Sequence, residues 1–263
     1  MKNNIFCFFV SGFLILNSAA QNTVATRFSV PTDFKRSETN GISFAYFLQN
    51  LPLKKTGSRV KLYNGKTKSN EVYDAVIDLP IGNKDLHQCA DAVMRLRADY
   101  FYNQRKFNDI HFNFTNGFQV DFSKWILGYR IKMKGNKTFW SKTTEPSSDY
   151  KTYWAYMETI FQYAGTASLE KELKPKKMQD LQIGDVFIKG GFPGHAVIVI
   201  DKAVNSKTKK NIFMLAQSYM PAQDLQVLKN MTNSTISPWF ELNMESNLET
   251  PEWTFTQFQL KTF

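Results

Sequence analysis

One stretch restricts this chain more than any other: "GDVFIKGGFPGHAVIVID", residues 184–201. A short apolar run, 186–188, is cut by Gly190, Gly191, Pro193 and Gly194, and a second run, 196–200, follows His195 with no polar alternation. Apolar runs of this kind mark strands buried on both faces, so a sheet must lie inside the core with material packed on each side. A titratable ring at the mouth of such a strand is either capped within a turn or aimed at a partner elsewhere in the chain.

The surrounding pattern supplies the rest of the fold. Residues 42–51 read as a short helix, closed by Asn50 and Pro52. Residues 60–63 and 72–79 read as strands of a hairpin around the Asn64-Gly65 turn. The clearest helical stripe runs over 83–102, with Asn83 or Asp85 as its cap. A second hairpin, 110–114 and 118–122, turns at Asn116-Gly117 and carries phenylalanines on one face. Helices follow at 150–163 and 168–173, then strands at 186–188, 196–200 and 212–217, and a sheet-edge pattern at 253–263. There is no βαβ rhythm, so an α+β fold is expected.

The N-terminus has the layout of a secretory leader: Lys2, an apolar run at 5–16, then Ser18-Ala19-Ala20. Cleavage after Ala20 leaves 21–263 as a single exported domain, periplasmic or secreted. The apolar run is short for a membrane span, and no later stretch is long enough for one. The net charge of +10 is spread over lysine-rich turns without a nucleic-acid-binding module, so no nucleic-acid partner is expected.

Removing the leader removes Cys7 and leaves Cys89 as the one cysteine, near the start of the clearest helix. A cysteine nucleophile needs a base for its proton and gains from the positive end of a helix. His195 is the candidate base. If Asp201 faces Asn211 or Ile212 in a hairpin, His195 faces Gln217 or Ser218. A Gln217 carbonyl accepting from one ring nitrogen would leave the other for the sulfur. The Cys89 sulfur is then expected within hydrogen-bonding reach of the ring, directly or through water. The chemistry prefers a helix that starts near 86 or 87, because dipole help fades after the first turn.

Gln88, Asp91 and Arg95 on the cysteine helix, with Ser218 and Tyr219 after Gln217, are the expected substrate contacts. Asp91 and Arg95 also fit an ordinary surface pair. His87 reads as an exposed helix-start residue, His111 as a polar position on a half-buried strand, Asp185 as a turn residue and Asp201 as a strand-end cap. A zinc site from His87, Cys89 and His195 with His111 or Asp91 is disfavoured, because residues two apart on a helix point to different sides. No metal or cofactor is expected.

"QCADAVMRL" at 88–96 and the opening stretch resemble the cysteine helix and histidine strand of NlpC/P60-type, papain-like cysteine peptidases. The resemblance implies a cysteine helix packed on an antiparallel sheet, with Cys89 as nucleophile, His195 as base and Gln217 as orienter. It makes 21–84 an N-terminal helix–hairpin segment and 85–263 the core. An insertion around 106–175 then carries the Phe-rich hairpin and a helix. It also implies an exported amidase or peptidase, with cell-wall peptide as the substrate class. "LPLKKTGSRVKLYNGKTK", "DLHQCADAVMRLRADY", "FTNGF", "PGHAVIVID" and "LAQSYMPAQD" are similar to segments of a bacterial exported family known as domain of unknown function 4846. That name carries no activity. The competing reading is a non-catalytic binding module in which Cys89 is packing. Fast, pH-insensitive alkylation is the mark of a thiolate–imidazolium pair, and labelling only after denaturation the mark of packing.

Overall fold

The computed structural model describes residues 22–135, 137–244 and 246–263; the leader read at 1–20 lies outside them. The protein is α+β: six α-helices and a nine-stranded sheet, with three small two-stranded ribbons, among the described residues. From edge to edge the sheet runs Tyr73–Val76, Gln226–Leu228, Asn211–Gln217, His195–Asn205, Val186–Lys189, Leu260–Thr262 and Lys174–Pro175. Every pairing is antiparallel. Phe34–Arg36 pairs with the far end of His195–Asn205, and Phe240–Glu241 with the start of Asn211–Gln217.

The strand His195–Asn205 is buried from His195 through Ala203, as its unbroken apolar run requires. Its side chains alternate between two cores. Ala196, Ile198 and Ile200 pack with Ala90, Val93 and Met94 of the helix Cys89–Asn103. Val197 and Val199 pack with Phe187, Phe213, Leu215 and Phe255 on the opposite face. Each fully buried side chain of this size contributes about 1.5–3 kcal/mol. By the same alternation His195 and Gln217 belong to the second face, under the ribbon formed by Leu248–Thr250 and Trp253–Phe255.

The helix Tyr150–Tyr163 and the hairpin of His111–Asn113 with Gln119–Asp121 lie where the sequence pattern puts them. Other elements differ. The cysteine helix is Cys89–Asn103, starting six residues after the expected cap at Asn83. Asp85 does not cap it. Its Oδ1 accepts from the Ala222 N–H (2.7 Å) and from Gln88 Nε2 (3.1 Å), tying two loops together. The first expected hairpin turns at Asn64-Gly65 as read, but its return arm is 66–68, with Lys61 bridged to Thr67 and the Lys68 N–H bonded to the Val60 carbonyl; Tyr73–Val76 pairs instead with Gln226–Leu228, and Leu62 bridges to Gln223. Residues 253–263 hold two strands, and the second, Leu260–Thr262, lies inside the sheet. The ribbon Tyr129–Lys134 with Lys137–Lys142 is unannounced by the sequence, because alternating lysines hide its apolar positions.

Asp201 is not a strand-end cap. It sits inside its strand with no solvent exposure, paired with Arg36 Nε at 2.8 Å and accepting from Gln49 Nε2 at 2.7 Å. The hairpin register is shifted for a related reason. The strands run on to Asn205 and Asn211, so Asp201 faces Met214 and Ile198 faces Ala216. Continuing that register sets Gln217 beside Val197, diagonal to His195 on the same face.

The glycine break before His195 is a steric necessity. Gly191 has φ of 105°, and a Cβ on Gly194 would lie 2.4 Å from the Gly191 carbonyl oxygen and 2.7 Å from that of Lys189. We expect Gly194→Ala to cost about 1–3 kcal/mol in urea unfolding, while Gly41→Ala, with open space around it, stays within about 0.5 kcal/mol of wild type.

Candidate active site

Cys89 is the first residue of its helix, and Gln88 is the extended N-cap (φ −102°, ψ −161°). The helix starts here because the residues before it are committed elsewhere. Asp91 Oδ2 accepts from the Gln88 N–H at 3.0 Å. The Ser218 hydroxyl lies 2.9 and 2.8 Å from the carbonyl oxygens of His87 and Gln223 and shares its one proton between them. The thiol is 8% exposed and lies against the backbone N–H groups of Ala90, Ala196 and Cys89 itself. Ala196 is the residue after His195, so the sulfur meets the histidine strand at its mouth.

His195 is 1% exposed. Its Nε2 lies 2.7 Å from Gln217 Oε1. The amide orientation is fixed on its other side, where Gln217 Nε2 donates to Glu252 Oε2 at 2.5 Å. Because Oε1 can only accept, Nε2 carries the ring proton and the lone pair resides on Nδ1. Three aromatic rings enclose the imidazole: Tyr219 edge-on at 5.0 Å, Trp253 at 5.6 Å and Phe255 stacked at 6.0 Å. Behind Glu252 stands Lys68, 7% exposed, with its Nζ 2.6 Å from Oε2 and over the Tyr219 ring at 5.4 Å.

Burial dominates the electrostatics. It pushes the Cys89 thiol up to about 11, with the Asp91 charge adding to the effect and the nearby N–H groups opposing it. Burial also pulls His195 down to about 4; the Gln217 bond opposes this and the Lys68 charge reinforces it. The helix N-terminus favours a thiolate by at most ~2 kcal/mol, less than the desolvation it faces. The gap between those two values opposes proton transfer by roughly 9 kcal/mol before the attraction of the product charges is counted. The resting pair is therefore neutral thiol and neutral imidazole, not the thiolate–imidazolium pair. No direct hydrogen bond joins Sγ to the ring among the described residues.

A cavity of about 220 Å³ opens beside the thiol, lined by Gln88, Cys89, Phe161, Thr166, Phe192 and Met220 among others. Phe192, in the glycine loop, is 93% exposed, and Met220, in the loop after Gln217, is 48% exposed. Both therefore present apolar surface to the cavity and to solvent.

A family model described as Domain of unknown function (4846) matches residues 24–262. The chain belongs to that family. No curated protein and no solved structure matches it. The structure sets Gln88 and Cys89 at the cavity and groups His195 with Gln217 and Tyr219 on the other face of the sheet, outside the cavity lining; the two sets meet only where the thiol reaches the Ala196 N–H at the strand mouth. Ser218 is beside them, fully buried, with its hydroxyl spent on holding the helix start.

Other candidate residues sit differently from expectation. Arg95 and Asp91 do not form a surface pair. Arg95 is 1% exposed, bonds to Asp99 and the Pro80 carbonyl, and lies 4.7 Å over Trp154, outside the cavity lining. Asp91 lines the cavity but is buried, and desolvation raises its carboxyl well above the usual range. His87 is completely buried rather than exposed, edge-on to Phe161, and neither ring nitrogen has a hydrogen-bond partner. Its ordinary neighbours in sequence gave no sign of this. His111 is exposed, and no cluster of metal-ligating side chains forms among the described residues. Lys68 and Glu252 were invisible in the sequence, being joined across 184 residues with no motif around either.

Two outcomes follow for this site. Alkylation of Cys89 by iodoacetamide in the native protein should climb about tenfold per pH unit from 7 to 10, tracking a thiol near 11; a flat profile would return the ion pair. For His87, burial and then the Arg95 charge depress the ring to about 3. The unfolded chain takes up that proton below pH 6.5 and the folded chain does not. Stability is therefore full above 6.5 and falls by roughly 2 kcal/mol between 6.5 and 5 on this account. His87→Leu should roughly halve the fall over that window in chemical unfolding, because His195, pulled down to about 4 by burial, contributes a nearly equal share there.

Proposed function

We propose that the chain is a thiol-dependent amide hydrolase, built on a papain-like arrangement of cysteine helix and antiparallel sheet. The observation that carries the reading is the His195–Gln217 bond, which leaves Nδ1 as the basic nitrogen of a ring whose strand mouth abuts the Cys89 thiol. The neutral resting pair suits a general-base route. As the Cys89 sulfur attacks the substrate carbonyl, its proton passes to His195 Nδ1. The first N–H groups of the helix, which have no intrahelical acceptor, receive the oxyanion. The imidazolium then protonates the departing amine, leaving an acyl-thioester on Cys89. Water, deprotonated by His195, releases the acid and restores the thiol.

Phe192 and Met220 favour a substrate with an apolar group on the acyl side, and no Lys or Arg lines the cavity. The leader-like N-terminus supports a substrate outside the cytoplasm, and cell-wall peptide is the class proposed. A second reading has its own support: burial of Cys89 and its elevated titration fit a binding module that holds peptide without cleaving it.

Incubation with a cell-wall peptide digest, read by mass spectrometry, separates the two. Hydrolysis by wild type should be abolished in Cys89→Ala and fall by about 10³-fold or more in His195→Ala. Phe192→Ala should raise KM with little change in kcat. Absence of turnover, with peptide-induced thermal stabilisation kept in Cys89→Ala, would establish the binding module instead.

A further inference from the structure

The buried ion pair behind Gln217 has no place in the chemistry above. We propose that Lys68 and Glu252 are positioning residues that fix which way the Gln217 amide points, and through it which nitrogen of His195 carries the proton. This rests on the hydrolase reading for its catalytic consequence, but not for the tautomer itself.

The two ends of a glutamine amide have nearly the same shape, so packing alone does not choose between them. Gln217 is 1% exposed, so water does not choose either. Its hydrogen-bond partners must. Imidazole Nε2 accepts either end, because the ring can shift its proton from one nitrogen to the other. A carboxylate has no such freedom: Glu252 offers acceptors only, so the end facing it at 2.5 Å must be the NH₂. Oε1 is thereby sent to His195, which places the ring proton on Nε2. With the amide reversed, NH₂ would face Nε2, the ring proton would move to Nδ1, and Nδ1, the base of the proposed reaction, could no longer accept a proton.

Lys68 completes the device. It holds the same oxygen, Oε2, at 2.6 Å from the other side and lies over Tyr219, which itself packs edge-on against His195. Glu252 follows the Thr250-Pro251 turn of the Leu248–Thr250 and Trp253–Phe255 ribbon. The same ribbon places Trp253 and Phe255 against the imidazole. One small element thus both shields the ring and sets its tautomer.

The test is ¹⁵N NMR of the His195 ring in the full chain, together with the rate of hydrolysis of the cell-wall peptide digest. Wild type should show the Nε2–H tautomer alone. Glu252→Gln, which can present either end of its own amide, should show a mixture with Nδ1–H and slow hydrolysis about tenfold or more, as a wrong tautomer does in comparable triads. Should loss of one charge unfold the protein, Lys68→Met combined with Glu252→Gln removes both charges and should give the same mixed tautomer. A folded variant that keeps pure Nε2–H overturns the inference. A mixed tautomer with unchanged hydrolysis, or with no hydrolysis by wild type either, upholds the positioning role and counts instead against His195 acting as the base for Cys89.

Discussion

Everything at this site follows from taking an imidazole and an amide out of water together. Neither His195 nor Gln217 has solvent to bond with, so each must find a partner inside the protein, and a single misassigned hydrogen bond there costs about 1–3 kcal/mol. The chain resolves this with a line of side chains from His195 through Gln217 and Glu252 to Lys68, ending at a buried cation. The same exclusion of water sets the protonation states. It outweighs the helix terminus at Cys89 and holds both reactive groups neutral.

How the sequence foretold this is uneven, and the reasons are local. The apolar run after His195 announced a strand buried on both faces, because alternation is lost only when both faces are dry. The helix Tyr150–Tyr163 was legible because Asp149 caps it through the Thr152 N–H and its stripe is long. The start of the cysteine helix was misplaced because Asn83 and Asp85 look like caps, whereas Asp85 is drawn off by a loop 137 residues away. Turn residues gave the wrong register for the hairpin, since polar positions up to Asn205 and Asn211 still pair. A shift of that size would ordinarily separate His195 from Gln217. The diagonal reach of a glutamine on the same face kept them together.

Long-range charge was the least legible. Lys68 and Glu252 lie in stretches that resemble solvated turns, as do Arg36 and Asp201, whose pairing anchors the far end of the same strand. Buried pairs of this kind leave no period in the sequence. Membership of a family without an assigned activity adds the extent of the domain, and the chemistry rests on the residues themselves.

The loop bearing Phe192 runs into the strand that His195 begins, with only Pro193 and Gly194 between, and Gly194 has no spare volume against its own turn. Phe192 and His195 are therefore held by the same tight turn, whose carbonyl oxygens leave room for no side chain at Gly194. On the proposed function, the wall a guest would meet and the ring that would serve as base thus belong to one unbroken run of backbone, whereas Met220 reaches the same opening from a separate loop.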